Sequence, residues 1–153
     1  MYEKYSRQCL PSKQYREILG SAICVFNSNN SFIIENILNT DQAKNFKWSI
    51  LIDKVSGHLL PIIEKTITTK SNNEIAKLFC EIIAERNRII HSYQATDSTA
   101  STDDPDHQIL ITKHKDGRQE PITEEYLLKF IAKNQKLSTL LYSYRDSLKN
   151  DTK

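Results

Sequence analysis

Residues 71–91, which read SNNEIAKLFCEIIAERNRIIH, decide the fold that this chain is expected to adopt. Ser71 and Glu74 match a capping box, in which two side chains satisfy free backbone amides at a helix start. The apolar positions that follow are Ile75, Leu78, Phe79, Ile82 and Ile83. They recur at helical spacing, which predicts an amphipathic helix. We expect this helix to run through His91 and to fade by about Ala95.

A first helix is predicted on the N-terminal side, with Ser12 as its cap. Its apolar positions are Tyr15, Ile18, Leu19, Ala22, Ile23 and Phe26. Short polar side chains at residues 27–30 compete for backbone hydrogen bonds and predict a break. The apolar stretch from Phe32 to Leu38 then predicts a further short helix. Asp41 is expected to open the next one, which Gly57 and Pro61 should kink or split, because proline removes a helical hydrogen bond.

The C-terminal third has a different pattern. Residues 109–112 (ILIT) are β-prone, and Asp116-Gly117 predicts a two-residue hairpin turn. Thr123 then caps a long last helix. The predicted fold is therefore all-α, a four- to five-helix up-and-down bundle with a small β-hairpin, at about residues 108–122, inserted before the last helix.

Composition limits the class of protein. The chain has 153 residues, three Gly and four Pro, which indicates one domain over residues 1–153 and excludes collagen-like or Pro-rich chains. No apolar run approaches the roughly 18 residues of a membrane span, and the N-terminus has no signal-peptide pattern. The three cysteines are widely spaced, as expected of a reduced, cytoplasmic protein.

The net charge of +2 neither indicates nor excludes a nucleic-acid partner. The distribution of charge is more informative. An acidic loop is followed by a basic stretch on the predicted hairpin. The acidic residues are Asp97, Asp103, Asp104 and Asp106, and the basic stretch contains Lys113, His114, Lys115 and Arg118.

Arg86 interrupts the apolar stripe of the 71–91 helix. An unpaired buried charge is costly, so this guanidinium is expected to be paired or to serve a function. At about 100° per residue, Arg86 and His91 lie about 140° apart, with Asn87 between them. The three side chains are therefore expected to border one groove.

These residue types suit RNA cleavage without a metal, in which the 2′-hydroxyl attacks the neighbouring phosphorus. Histidine is the side chain suited to proton transfer near neutral pH. Arginine presents planar donors that match phosphate oxygens. Asn87 would orient the imidazole or hold a phosphate oxygen.

The string Arg86-Asn87-Arg88-Ile89-Ile90-His91 resembles the Arg-Asn…His motif of HEPN domains, and about residues 12–149 can be placed on their helical architecture. The resemblance implies a metal-independent endoribonuclease without a cofactor, acting as a homodimer with a composite site. It also implies a toxin or an antiphage-defence effector that cuts tRNA or mRNA. The alternative is a non-catalytic HEPN-like interaction module, or a subunit of a nucleotidyltransferase-linked or defence complex.

Tyr93 extends the resemblance to the Arg-x4-His-x-Tyr pattern of HEPN toxins that a nucleotidyltransferase-type antitoxin modifies at the tyrosine. The resemblance therefore implies such an antitoxin as a partner and Tyr93 as a modification site. The other expectation for Tyr93 is packing or RNA stacking along the cleft. The hairpin is not part of that toxin pattern.

Each site residue also has a structural explanation. Arg86 would pair with Glu64 or Glu35, and His91 would interact with the dipole at a helix C-terminus. Arg88, about 200° from Arg86 on a helical wheel, would be solvated or bound to phosphate. The hairpin cations Lys113, Lys115 and Arg118 would contact an RNA backbone or simply be solvated. No histidine has the spacing of a metal site.

Overall fold

The computed structural model describes residues 3–97 and 107–150, so Asp103, Asp104 and Asp106 of the expected acidic loop lie outside the described residues. The helices are α1 (Lys13–Thr40), α2 (Trp48–Ile52), α3 (Leu60–Lys65), α4 (Ile67–Lys70), α5 (Glu74–Ile90) and α6 (Glu124–Asn150), with a 3₁₀ turn at Ser56–Leu59. The strands are β1 (Tyr93–Thr96), β2 (Gln108–Lys113) and β3 (Gln119–Ile122). A mostly helical fold with a small antiparallel sheet is thereby confirmed.

The three long helices, α1, α5 and α6, run up, down and up. Along α1 and α6 the contacts proceed in the same order, from Asn29 with Asn134 to Thr40 with Tyr144. Along α5 and α6 the order is reversed, because Glu74 pairs with Lys136 whereas Glu85 pairs with Lys133. The short helices between residues 48 and 70 take the place of another long helix.

The predicted break at residues 27–30 is wrong, because α1 continues through it. Ser12 does cap this helix, and its Oγ accepts a hydrogen bond of 3.1 Å from the Tyr15 amide. Asn29 is buried, and its Nδ2 donates to the Asn134 carbonyl oxygen (2.8 Å) and Oδ1 (3.0 Å) on α6. The asparagine thus finds its partner on another helix rather than on its own backbone, which removes the reason for a break.

Asp41 does not open a helix; it is the C-cap residue of α1. Its carboxylate accepts from the Phe46 amide (2.8 Å) and from Asn45 Nδ2 (3.0 Å), and so stabilises the loop that follows α1. The split expected near Gly57 and Pro61 is confirmed. Pro61 lies in the first turn of α3. Backbone N–H groups in a first turn have no acceptor within the helix, so the missing N–H of proline costs no hydrogen bond there.

Both ends of α5 differ from the expectation. Ser71 Oγ donates to the Ile67 carbonyl (2.9 Å), and the Glu74 amide donates to Asn72 Oδ1 (2.8 Å), so the capping box does not form. The helix ends at Ile90, and Tyr93–Thr96 form β1. The backbone of β1 forms antiparallel hydrogen bonds with β2, in place of those that a longer helix would provide. Sequence periodicity does not reveal this pairing, because β2 is distant in the chain.

The predicted hairpin is confirmed as β2 and β3, but its turn is longer than two residues. Gly117 has φ of 89°, whereas Asp116 does not have a positive φ. The His114 amide donates to the Arg118 carbonyl (2.8 Å) and closes a loop over residues 114–118. Thr123 caps α6 as expected, and its Oγ1 accepts from the Tyr126 amide at 3.1 Å.

The core lies between the three long helices. Phe26 of α1 is stacked near Phe79 of α5 and Phe130 of α6, with ring centroids 6.4 and 6.5 Å away. All three rings are almost completely buried. This aromatic centre fixes α5, and with it the motif residues at its C-terminal end.

Tyr15 joins α1 to the sheet. Its buried hydroxyl donates to the Ile122 carbonyl (2.6 Å) and accepts from the Leu110 amide (3.4 Å). Tyr15→Phe is therefore expected to destabilise the protein by about 1–3 kcal/mol, because a buried carbonyl loses its donor. Tyr126→Phe is the matched control, since that buried hydroxyl has no hydrogen-bond partner among the described residues. Urea unfolding should show no loss of stability for Tyr126→Phe, and equal losses in both variants would contradict the assignment.

The same two tyrosines predict a loss of stability at high pH. Burial raises the pKa of Tyr15 and the pKa of Tyr126 to about 12. Unfolded tyrosine ionises near pH 10, so between about pH 10 and 12 the unfolded chain loses protons that the folded protein keeps. The free energy of unfolding is therefore expected to fall across this range. Urea titrations at several pH values should show a shallower fall in the double variant Tyr15→Phe/Tyr126→Phe than in the wild type, and an equally steep fall would refute the prediction.

Candidate functional site

A groove of about 630 Å³ lies between the C-terminal end of α5 and the β2–β3 hairpin. From α5 it is lined by Ala84, Asn87, Arg88 and His91, and from the hairpin by Thr112, Lys113, His114, Lys115 and Asp116. The lining contains three permanent cations, two histidines and a single carboxylate. The groove is therefore basic and suited to an anion. We call it the α5–hairpin groove.

His91 lies at the edge of the α5–hairpin groove, where α5 ends. It is the C-cap residue, and its backbone amide donates to the Asn87 carbonyl at 3.0 Å. The side chain is exposed, and no described residue hydrogen-bonds to its imidazole. This position would also suit the helix-dipole role considered above. The free imidazole is placed to exchange a proton with a ligand in the groove.

Arg86 does not line the groove with His91, contrary to the helical-wheel expectation. Its guanidinium lies over the ring of Phe26, with the central carbon 5.3 Å from the centroid, and Nη1 donates to Asn87 Oδ1 at 3.0 Å. Covering an aromatic ring of the core is favourable for a guanidinium, which turns the side chain toward α1. Arg86 therefore reaches the groove only through Asn87.

The ion pair considered for Arg86 does not form within the described part of the chain. No carboxylate there lies within 4 Å of its guanidinium, and Glu35 instead faces Arg145 at 3.8 Å. The charge of Arg86 is compensated by a ring face and an amide oxygen rather than by an acid.

Arg88 enters the groove rather than solvent. Its Nη1 lies 2.8 Å from His114 Nδ1 and 3.2 Å from Nε2, and His114 Nε2 lies 2.9 Å from Glu120 Oε2. His114 is not among the residues that the sequence indicated for the site. An Asp-Gly turn marks a hairpin but does not reveal the helix on which the hairpin folds, so this contact had no sequence signal.

The other cations of the hairpin differ in position. Lys113 and Lys115 line the groove, as a backbone contact for RNA would require. Arg118 is outside the lining, with its Nη2 3.3 Å from His114 Nδ1 and its Nε 4.0 Å from Asp116. Arg118 therefore supports the hairpin loop more directly than it contacts the groove.

Tyr93 is also outside the groove lining. It lies on β1 opposite Ile111, and its hydroxyl donates to Gln119 Oε1 on β3. On a continuous helix Tyr93 would lie two turns after Arg86 and on the same face, but α5 ends before it. The side chain is exposed, so its hydroxyl is accessible from solvent.

Charged groups also lie near the buried hydroxyl of Tyr126 on α6. Burial is the main cause of its raised pKa, and the nearby Glu85 raises the pKa further while the nearby Arg88 lowers it. Glu85 itself accepts a hydrogen bond of 2.5 Å from Lys133 Nζ, which raises the pKa of Lys133. Arg88 and Glu85 therefore shift the pKa of the same hydroxyl in opposite directions, and Glu85 is paired with Lys133.

Two further findings concern the described residues as a set. Across residues 3–97 and 107–150, no three His, Cys, Asp or Glu side chains are grouped so that they could hold a metal ion. In the same residues, no helix combines the length and the apolar character that crossing a membrane requires.

A scan against protein-family models and searches of curated proteins and solved structures found no match to this chain. Membership of the HEPN family consequently remains a prediction from the motif residues.

Proposed function

We propose that the chain is a metal-independent endoribonuclease of HEPN type, which acts in the cytoplasm as a toxin or an antiphage-defence effector. The observation that supports this most directly is the exposed imidazole of His91 beside the cations of a basic groove. The groove is open and carries Arg88, Lys113 and Lys115 in its lining, which an RNA backbone could contact.

The proposed reaction needs one base, one acid and positive charge near the phosphate. The 2′-hydroxyl oxygen attacks phosphorus while its proton passes to the His91 imidazole. A 2′,3′-cyclic phosphate forms as the bond between phosphorus and the 5′-oxygen breaks, and that oxygen takes up a proton. Arg86, acting beside Asn87, and the groove cations Lys113 and Lys115 would offset the negative charge that gathers on the phosphate.

A homodimer would supply the second proton-transfer group. One His91 serves as the base, and the partner subunit's His91, in its protonated form, supplies the proton to the leaving 5′-oxygen. Two facing copies of the groove would form the composite site that the resemblance implies. A monomer at high micromolar concentration would contradict this arrangement.

Regulation by a nucleotidyltransferase-type antitoxin is part of the same proposal. The accessible hydroxyl of Tyr93 would accept the modification, although its strand position places it away from the groove lining. Mass spectrometry of the protein purified with and without such a partner would test this.

The second candidate is a non-catalytic HEPN-like interaction module. The packing of Arg86 against Phe26 favours it, because that contact gives the motif arginine a structural role. The open groove and the free imidazole of His91 favour the nuclease.

The experiment that decides between them uses purified protein, tRNA or total RNA, and EDTA. A nuclease of the proposed type cleaves under chelation and leaves 2′,3′-cyclic phosphate ends. Absence of cleavage by a folded, unmodified dimer would support the interaction module instead.

A further inference from the structure

The two arginines of the motif region occupy different environments. Arg86 lies against the ring of Phe26 and donates to Asn87. Arg88, two residues later, lines the α5–hairpin groove together with His91. Any anion that reaches His91 in this groove therefore meets Arg88 before Arg86.

The hairpin holds Arg88 through a chain of hydrogen bonds. Arg88 Nη1 lies 2.8 Å from His114 Nδ1 and 3.2 Å from Nε2. Because the Glu120 carboxylate only accepts, it accepts the hydrogen bond of Nε2 and leaves the nearer nitrogen, Nδ1, as the acceptor for Arg88. Nε2 then carries the ring proton and donates it to Glu120 Oε2 at 2.9 Å. Glu120 thereby fixes the tautomer of His114, and His114 fixes one Nη atom of Arg88. In metal sites, a carboxylate that accepts a hydrogen bond from a ligating histidine orients that ring in the same way.

The remaining donors of Arg88 are free to bind a ligand. In the described residues, neither its Nε nor its Nη2 has a hydrogen-bond acceptor, and no carboxylate lies within 4 Å of the guanidinium. His114, by contrast, is engaged at both ring nitrogens and is largely buried, at 11% exposure of its side chain. His114 is thus suited to positioning a group rather than to exchanging protons.

We propose that Arg88, held by His114 and Glu120 of the hairpin, is the guanidinium that contacts the RNA phosphodiester beside His91. Arg86 acts on the site only through Asn87. This inference rests on the proposed function, because it names the contact residue within the same groove. It assigns the hairpin a positioning role for the phosphate-binding arginine.

Binding of a short fluorescein-labelled 2′-O-methyl oligoribonucleotide tests the contact, since this probe lacks the attacking hydroxyl and cannot be cleaved. Arg88→Gln is expected to weaken binding by about 10- to 100-fold, the loss for charged hydrogen bonds. The slope of log affinity against log salt should fall by about 0.7, as for one lost phosphate contact to a single strand. The exposed Arg7→Gln, which loses one positive charge outside the groove, should keep the wild-type slope, and Arg86→Gln should lower the slope less than Arg88→Gln does.

Two results would overturn the proposal. In one, the slope of log affinity against log salt stays at the wild-type value in folded Arg88→Gln and falls in Arg86→Gln. The other is a wild-type protein that does not bind the probe. Circular dichroism of each variant verifies that the fold is intact.

Glu120→Gln tests the positioning chain without removing a cation. It is expected to keep the salt slope, because Arg88 is still present, and to lower the rate of RNA cleavage at saturating substrate. If Arg88 and His114 only attach the hairpin to α5, Glu120→Gln would lower the unfolding midpoint and leave kcat at the wild-type value. That result would contradict the positioning role.

The contact and the proposed function fail in different ways. Wild-type protein that binds the probe through Arg88 but cleaves no RNA would support the contact and reject the nuclease. Cleavage that depends on Arg86 while Arg88→Gln is fully active would support the nuclease and overturn the contact.

Discussion

Replacement of His91 by alanine is expected to lower the rate of RNA cleavage by about 10²- to 10⁴-fold, the usual contribution of one general acid–base group. In the proposed dimer this variant removes both the base and the acid, which places the loss toward the upper end. The structure provides the physical basis, because the imidazole is exposed and no described residue hydrogen-bonds to it. Release of 2′,3′-cyclic phosphate ends under single-turnover conditions in EDTA measures the effect.

A matched control is available in His58→Ala, since His58 is another exposed histidine and lies outside the groove. It should retain wild-type cleavage. His91→Ala should also retain affinity for the uncleavable oligoribonucleotide within a few-fold, because the cations of the groove remain. A His91→Ala variant that cleaves at the wild-type rate would exclude His91 from the chemistry.

Truncation of Phe26 to alanine is expected to cost about 3–5 kcal/mol of stability. The ring is almost fully buried between Phe79 and Phe130, at the place where the three long helices meet. Removing it leaves a cavity that neighbouring helices cannot easily fill. Urea denaturation, with the m-value held as a check on two-state behaviour, should show a correspondingly lower midpoint. A loss below about 1 kcal/mol would contradict this description of the core.

A milder pair of variants isolates the contact between the core and Arg86. Phe26→Leu and Phe130→Leu remove similar aromatic area, but only Phe26→Leu removes the ring beneath the guanidinium. Phe26→Leu should therefore be the more destabilising of the two by about 0.5–1 kcal/mol. The additional loss should disappear when Arg86→Gln is already present, which a double-mutant cycle measures directly.

The sequence correctly indicated the strong local features. The Ser12 and Thr123 caps, the division of the chain near Pro61 and the hairpin strands all depend on neighbouring residues, so they can be read from short stretches. The continuous α1 could not be read in this way. Asn29 breaks a helix when its side chain bonds its own backbone, but here it bonds Asn134, which is distant in the chain.

The ends of α5 show the same limit. Capping signals compete with one another over two or three residues, and Asn72 binds the Glu74 amide in place of Ser71. The helix ends at Ile90 because the next residues pair with β2. Tyr93 consequently lies on a strand, which no local pattern in residues 91–96 indicates.

By itself the sequence determined that the chain is largely helical, where the hairpin lies, and that Arg86, Asn87 and His91 occupy the end of one helix. Only the tertiary structure decided which arginine faces His91. Phe26 of α1 draws Arg86 toward the core, while His114 and Glu120 of the hairpin hold Arg88 in the groove. The physical reason is that the direction of a long side chain depends on the partners that fold against its helix, and those partners come from distant parts of the chain.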